Sequence, residues 1–595
     1  MSRTFKTLLA SSLLCFNAYA QTEGEVITPF DPSELLEEQP PNVILLMTDD
    51  LGYGDIGFKG NKWIDTPNFN KLAEESIRWK TFYVSPVGSL TRASTFTGRY
   101  NIRTKVIDTS LGRSMMASDE ITLAEALSGA GYKTGIFGKW HLGDHFPMRP
   151  SDQGFDTSLV FRGGGLGQPS DPIENQGRYT NPILFKNDSE ISTVGYSTNV
   201  FFDAAKKFIA EANENQQPFF ATIAVNVPHA PYSDVPESLL KKYQAKDLSA
   251  WSKDTDKDTL ARIAAMVDNL DQNLGELDAF LNSQKLNNNT IIVFCSDNGP
   301  DSLRFNRELR GKKGDIYEGG IRSPFWIKWP EKFKKGREVI DNVAGHIDIM
   351  PTILDACELG TPEAFQFDGR SLLPQILEPG KILPERPLVI QWHNGATPIK
   401  HHHFMVRQGK WKLLNPSNPQ ESRLESRNFE LYDIDNDPGE TTNLIEQHED
   451  KSVELLNIYN TWLDDVTETR IRDRGTPYIL VDRENENPLV LTWQDRISKA
   501  WGYQEEGFWK THFEHSGRCD MRIEFPLDFD RDLTGWTARL TIGREIYTQK
   551  VNESAQGMTF TGLNFNKGKH LVRAAFISPD QSELVGAYQV RLIHR

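Results

Sequence analysis

The sequence predicts an α/β fold: a doubly wound mixed sheet flanked by helices, followed by a C-terminal antiparallel β region. Three observations carry this. Continuous apolar runs recur, several of them after a helix-like segment, which is the pattern of strands buried on both faces under crossover helices. Polar and ionisable residues stand at the ends of four such runs, where open α/β sheets place their sites. From about Arg474 the texture changes to short alternating runs separated by turn residues, as in a β-sandwich.

Taken in order, Met1 to Ala20 has a charged start (Arg3, Lys6), an apolar stretch (Leu8 to Phe16) and Ala18-Tyr19-Ala20. That is the layout of a cleavable secretory signal, so residues 1–20 are expected to direct the protein out of the cytoplasm, secreted or periplasmic. The run is too short for a membrane span, and Leu14 before Cys15 does not fit a lipid-anchor site. Residues 21–40 read as an acidic, proline-containing arm or linker. Residues 41–473 are expected to form one α/β domain of catalytic type, and 474–595 a β-sandwich-like domain. A net charge of −16 argues against a nucleic-acid partner, since phosphates need cations to bind them. Beyond the signal, Cys295, Cys357 and Cys519 are odd in number and far apart, so they are expected to be lone thiols rather than a disulfide framework.

The first strand is Asn42 to Met47, ending in Thr48-Asp49-Asp50. A helix from Leu123 to Gly131 precedes the strand Thr134 to Phe137, after which come Lys139 and His141. A helix from Val200 to Asn213 precedes Phe219 to Val225, and His229 follows. Leu260, Ile263, Val267, Leu270, Leu274 and Leu277 share one helical face, and that helix feeds the strand Thr290 to Cys295, ended by Asp297-Asn298. In the C-terminal part, strands are expected at Ala538 to Ile542, Tyr547 to Val551, Met558 to Phe560, His570 to Phe576 and Val585 to Leu592.

Asp49, Asp50, Asp297 and Asn298 offer three carboxylates and an amide oxygen, hard ligands suited to Ca²⁺ or Mg²⁺ and poorly suited to zinc. Adjacent aspartates repel unless a cation lies between them. The Gly-rich run Arg162 to Gly167 has no helix after it to bind a dinucleotide, and reads as a pocket-edge loop. His401-His402-His403 with His393 invites a metal or substrate-pocket reading, although three consecutive histidines cannot all point one way. The segment after them, Phe404 to Leu414, is strand-like.

The stretch Val84 to Arg99 (VSPVGSLTRASTFTGR) resembles the signature of the type I sulfatases, arylsulfatase-like members of the alkaline phosphatase superfamily. In that signature Cys or Ser, any residue, Pro, any residue and Arg precede Thr-Gly-Arg. Further motifs resemble the family in order from about residue 41 to 445: PNVILLMTDDLGYGDIG at 41–57, GKWHLG at 138–143, DNGP at 297–300, LRGKKG at 309–314, YEGGIR at 317–322, His346 to Thr352, and Leu431-Tyr432-Asp433 through Asp437-Pro438-Gly439-Glu440. The resemblance implies that Asp49, Asp50, Asp297 and Asn298 bind the metal; oxygen-only ligation and the expected export favour Ca²⁺ over Mg²⁺. It implies that Arg92 braces the nucleophile loop, that Lys139 and Lys313 hold sulfate oxygens, that His141 acts on the formylglycine hydroxyl, and that His229 binds sulfate or protonates the leaving alcohol. It further implies sulfate-ester chemistry. A sulfated polysaccharide is the expected partner, because the protein is expected to be exported, its tail resembles those of polysaccharide-acting bacterial sulfatases, and Trp251, Trp392, Trp501 and Trp509 are available to stack on sugars.

Aligned on Arg92, the position of the family's Cys or Ser holds Gly88, and the position of its Pro holds Leu90. Formylglycine cannot form at Gly88, so the family's covalent route has no nucleophile. Ser89 is one residue off register and is expected to point away. Three readings stay open: a weakly active sulfatase, a non-catalytic pseudoenzyme that binds sulfated glycans, and a phosphoester hydrolase that uses water at the metal.

Overall fold

In the computed structural model the run Asn42–Thr48 is an inner strand of a ten-stranded mixed sheet. The structure describes residues 39–595 except 169, 340–341, 362–364, 396, 422, 425–426, 471–474, 500–501, 503–504, 526–528 and 553–556. The expected signal (1–20), nearly all of the arm, Trp501 and the expected boundary at 473–474 therefore lie outside the described residues. Residues 41–595 form one compact unit.

Asn42–Thr48 is flanked in parallel by Thr290–Ser296 on one side and Phe219–Ala224 on the other. Lys133–Lys139 and Thr157–Phe161 extend the parallel run. Antiparallel Phe325–Lys328 and Ile183–Lys186 make the sheet mixed. Along the first strand, Ile44 and Leu46 face one core while Val43, Leu45 and Met47 face another. Both faces of the sheet are covered, which is why its sequence is apolar throughout rather than alternating.

The helix Lys257–Ser283 covers the first face and buries Leu260, Ile263, Val267, Leu270, Leu274 and Leu277, all on the predicted stripe. Its N-terminus is capped by Asp256, whose carboxylate accepts from the Thr259 N–H at 3.0 Å. Helices Gly88–Thr97, Leu123–Gly129 and Ile349–Ala356 contribute to the second core. Among the described residues no helix is long and apolar enough to cross a membrane.

Phe404 to Leu414 is not one strand. Gly409 adopts φ +54° and turns the chain between Phe404–Gln408 and Trp411–Asn415, which pair antiparallel within a separate four-stranded sheet. The C-terminal part contains two further sheets that pack around one core. Its pairings are antiparallel except that Ile479–Val481 runs parallel to Trp509–Phe513. The run Val585 to Leu592 divides between the sheets, Leu584–Gly586 joining one and Gln589–His594 the other. Cys295, Cys357 and Cys519 are buried free thiols.

Trp251 and Trp509 are 1% and 0% exposed and belong to hydrophobic cores. They are not sugar-stacking platforms. Trp392 is also buried, and its indole N–H donates to Asp108 at 3.0 Å.

The loop leading into the Gly88 helix is tied down from several sides. The Thr91 hydroxyl accepts from the Ser85 N–H at 2.9 Å, and the Pro86 carbonyl accepts from the Gly314 N–H at 2.8 Å. His346 Nε2 lies 3.1 Å from Ser85 Oγ. Burial pushes the His346 ring down to about 3, so it is neutral in the folded protein.

Two outcomes follow from this packing. Leu270→Ala should cost about 2–5 kcal/mol in chemical denaturation, whereas Ile546→Ala, at a 64% exposed site, should change stability by less than about 0.5 kcal/mol. An unfolded His346 titrates near 6.5, so between about pH 6.5 and 3 the unfolded chain binds a proton that the folded chain refuses. The stability owed to the neutral ring is complete above that window and is lost as pH falls through it. Denaturation midpoints of His346→Gln should therefore fall less steeply with acid than those of the wild type; parallel curves would remove His346 as the titrating group.

Candidate active site and metal centre

Two adjacent parallel strands deliver the acids. Thr48 pairs with Ser296, so the residues that follow, Asp49-Asp50 and Asp297-Asn298, emerge side by side at the carboxyl ends. The Asp297 N–H donates to the Thr48 carbonyl at 3.0 Å, which carries the pairing one step past the strand. All four residues are 0–1% exposed. Asp50 takes φ +64°, a left-handed turn that Asp tolerates better than most residues.

Each carboxylate faces a cation. Lys139 Nζ is 2.8 Å from Asp49 Oδ2. Lys313 Nζ is 2.7 and 2.9 Å from the two oxygens of Asp50. Arg92 reaches Asp297 Oδ2 through Nη2 at 2.8 Å and Nε at 3.2 Å. His229 Nε2 stands 3.8 Å from Asp50. Burial alone would raise the Asp49 and Asp50 carboxyls; Lys139 and Lys313 respectively, with His229 near both, outweigh it and hold them below the usual range. Burial lowers Lys139, with Asp49 opposing, while Lys313 is raised because Asp50 and Asp49 outweigh its burial.

The cluster retains acceptors with nothing to accept. Asp49 Oδ1 and Asn298 Oδ1 are buried without a hydrogen-bond partner. Two orphaned oxygens among three carboxylates fit a hard divalent cation. Asp49, Asp50, Asp297 and Asn298 are thus the residues that could hold one.

The helix Gly88–Thr97 aims its first residue at this cluster. A Cβ at position 88 would lie 2.3 Å from Asp297 Oδ2 and 3.6 Å from Asn298 Oδ1. Any side chain at 88 would therefore enter the acid cluster. Ser89 turns away as expected, donating its hydroxyl to the Asp108 carbonyl at 3.0 Å.

His141 has φ +63° and lies 3% exposed. Its Nε2 is 2.7 Å from the Thr109 carbonyl; a carbonyl only accepts, so Nε2 carries the proton. Burial, followed by the charges of Lys139, Arg92 and Lys313, pushes the ring well below its ordinary range. His141 is neutral, and its Nδ1 is a buried lone pair without a partner. Gly164 of the Gly-rich loop lies against this ring, since a Cβ there would be 3.4 Å from His141 Cε1.

Lys313 is positioned by its backbone. The Lys313 N–H donates to the Pro300 carbonyl at 2.8 Å, and His403 Nε2 is 2.8 Å from the Gly314 carbonyl. Gly319 and Gly320 permit the loop to fold so closely: a Cβ on Gly319 would be 2.3 Å from the Gly311 carbonyl, and one on Gly320 2.1 Å from that of Asp315. The other histidines of the cluster make structural bonds. His402 bonds Ser417 and Glu421, His401 bonds Asn460, and the rings of His393 and His402 stack 4.7 Å apart. They do not converge on a cation.

Gln494 was not foreseen. It lies beyond every motif, yet its amide Nε2 donates to the Thr109 carbonyl at 2.6 Å and to Ser114 Oγ at 3.0 Å, and stands 3.4 Å from His141 Nε2. The chain around it carries no pattern that links it to His141. A cavity of about 820 Å³ lies elsewhere, among Tyr478, Arg544, Tyr547 and Lys569 of the C-terminal sheets. It holds no acid cluster, so size alone does not mark the site.

Comparison with known proteins agrees with this geometry. Residues 41–359 match the family described as Sulfatase, and residues 312–461 match that described as N-sulphoglucosamine sulphohydrolase, C-terminal. Arylsulfatase A of Homo sapiens is 30% identical over 452 residues, spanning 68% of this chain and 84% of that protein. N-acetylgalactosamine-6-O-sulfatase of Bacteroides thetaiotaomicron is 27% identical over 503 residues, spanning 71% of this chain and 92% of that protein. Among solved structures, Ps i-CgsB in complex with k-i-k-neocarrahexaose superposes with a TM-score of 0.62 at 25% identity, covering 74% of this chain and 95% of that one. The family match alone takes in more than half of the 595 residues, and with the strand-end acids in register it places this chain in the sulfatase family.

Proposed function

We propose that the protein binds sulfate esters of a sulfated polysaccharide at this centre, with Ca²⁺, and that it does not turn them over by the formylglycine route. One observation carries the reading. Position 88 points into the acid cluster and has no side chain, while the groups around it are in place. The all-oxygen ligand set favours Ca²⁺ over Mg²⁺, which demands tighter octahedral geometry. A bound divalent cation would hold a sulfate oxygen and draw charge from it.

The protein's own groups account for recognition. Asp49, Asp50 and Asp297 are matched by Lys139, Lys313 and Arg92, so the six side chains sum to zero. Adding a divalent ion leaves the site at +2, which attracts an anionic ester. Lys139 and Lys313 each have further Nζ protons to direct at sulfate oxygens. His229 stands at the more open side, 12% exposed, where it can face the sugar oxygen of the ester. His141 offers a neutral, buried Nδ1 acceptor that no protein group occupies. The polysaccharide is supported by the relatives, one named for N-acetylgalactosamine-6-sulfate chemistry and one solved with a neocarrahexaose.

Hydrolysis by a water in place of the missing nucleophile is the less favoured reading. Asp297 Oδ2 stands 2.3 Å from where a Cβ at 88 would be, so the carboxylate, held by Arg92, fills the nearest space.

Titration calorimetry with a sulfated oligosaccharide in Ca²⁺ should show binding that Asp297→Ala abolishes. Lys313→Ala should weaken it about 10- to 100-fold, the worth of one charge-assisted hydrogen bond. The unsulfated oligosaccharide should not bind at the centre. Sulfate release by the wild type should not exceed that of Asp297→Ala. Gly88→Cys with Leu90→Pro, expressed beside the formylglycine-generating enzyme, needs the Asp297 carboxylate to shift from its 2.3 Å approach; with Ca²⁺ present to draw that carboxylate onto the ion, release should rise by at least ~10³-fold. Leu90 lies in the first turn of its helix, where proline is tolerated. Wild-type release matching the rebuilt protein would sink the nucleophile-free reading.

A further inference from the structure

Three residues beyond His141, Asp144 and His145 lie beneath the segment that carries Gln494. Asp144 accepts from Thr492 Oγ1 at 2.9 Å, and its N–H lies 3.4 Å from Asp495 Oδ2. The side chains of His145 and Asp495 are 1% and 0% exposed. His145 Nε2 faces Asp495 Oδ2 at 3.8 Å, and Nδ1 faces Glu486 Oε1 at 3.5 Å. Neither nitrogen makes a hydrogen bond, and Asp495 Oδ1 has no partner either. One ligand atom from each of Asp144, His145 and Asp495 falls within 4.8 Å of the others. Glu486 is faced by Arg162, whose Nη1 lies 3.7 Å away, but no arginine or lysine pairs with Asp144 or Asp495 among the described residues. Two dry carboxylates and an unsatisfied imidazole require either shared protons or a cation.

The spacing favours the cation. Ligand atoms at about 2.1 Å from a tetrahedral ion are about 3.4 Å apart, and 3.8 Å between His145 and Asp495 is nearer to that edge than to a hydrogen bond. On the other side of the ring the Glu486 carboxylate faces Nδ1 at 3.5 Å without a hydrogen bond, an anion on the side where many histidine-ligated sites carry the carboxylate that orients Nε2. We propose that Asp144, His145 and Asp495 form a second, buried metal site for a zinc-type divalent ion. Its imidazole ligand separates it from the oxygen-only centre at Asp49, which suits calcium. The ion would staple the segment bearing Asp495 onto the loop bearing His141. Gln494, next to Asp495, would thereby be held on the Thr109 carbonyl that also fixes the His141 tautomer.

The test needs no catalysis. The purified full chain is stripped with chelator and titrated with Co²⁺, whose visible absorption reports a tetrahedral site. One equivalent should give that spectrum in the wild type and in Asp297→Ala, and none in His145→Gln or Asp495→Asn. Elemental analysis of unstripped protein should show zinc-type metal near one equivalent, lost in the same two variants and kept in Asp297→Ala. Asp495→Asn preserves shape, and its circular dichroism checks that the fold survives. Should either variant misfold, the wild-type and Asp297→Ala spectra decide alone. No tetrahedral Co²⁺ signal in the wild type, or one that disappears with Asp297→Ala, overturns the proposal and leaves Asp144 and Asp495 to share protons.

Discussion

Three carboxylates buried at the ends of two neighbouring strands set the terms for the rest of the centre. Two like charges about 5 Å apart repel by roughly 3 kcal/mol at an effective dielectric near 20, and Asp49 and Asp50 each bring a carboxylate oxygen within 4.8 Å of the other. The pairing of Thr48 with Ser296 adds Asp297 to the same cluster, so the repulsion has to be offset where the two strands end. The remedy comes from elements far apart in sequence: Arg92 from the Gly88 helix, Lys139 from another strand end, and Lys313 from a loop pressed against Gly319 and Gly320. Each cation is therefore both a partner for the acids and a tie that fixes its own element. The buried oxygens Asp49 Oδ1 and Asn298 Oδ1 remain without a partner among these cations, so the cluster could take up a divalent ion as well.

That constraint gives Gly88 a meaning that the motif alone lacks. In a family whose nucleophile sits at this position, the helix start must aim a side chain at the metal. Here the helix start still aims there, and the side chain is gone. The loop before it keeps its ties to Thr91, His346 and Gly314. The loop and helix start thus hold position 88 against the acid cluster although it carries no side chain.

The α/β body was legible because burial on both faces writes itself into continuous apolar runs, and the helix stripe from Leu260 to Leu277 matches the helix found. The placement of Asp49, Asp50, Asp297 and Asn298 was legible for a related reason: acids at strand ends share one edge of a parallel sheet. What escaped was whatever depends on chain folding back at long range. The run 585–592 split between two sheets, since pairing partners leave no local mark; the hairpin at Gly409 did leave one, the glycine inside the strand-like run, which the reading as a single strand passed over. The aromatics failed as sugar platforms for want of any such mark. Trp251 and Trp509 are apolar enough to stack on a sugar and equally apolar enough to fill a core, and only packing decides.

Gln494 shows where motif reasoning stops. The neighbouring motifs mark residues whose chemistry is local, such as a strand-end acid or a glycine that admits a close approach. Gln494 acts by sharing one carbonyl, that of Thr109, with His141. A glutamine in a β-rich stretch has no reason to be singled out, and its partner is a backbone atom that any residue at 109 would provide. Its placement depends on how the chain from Glu486 to Asp495 lies over Asp144 and His145. Residues past 474 therefore reach the surroundings of His141, because Gln494 and His141 donate to the same Thr109 carbonyl.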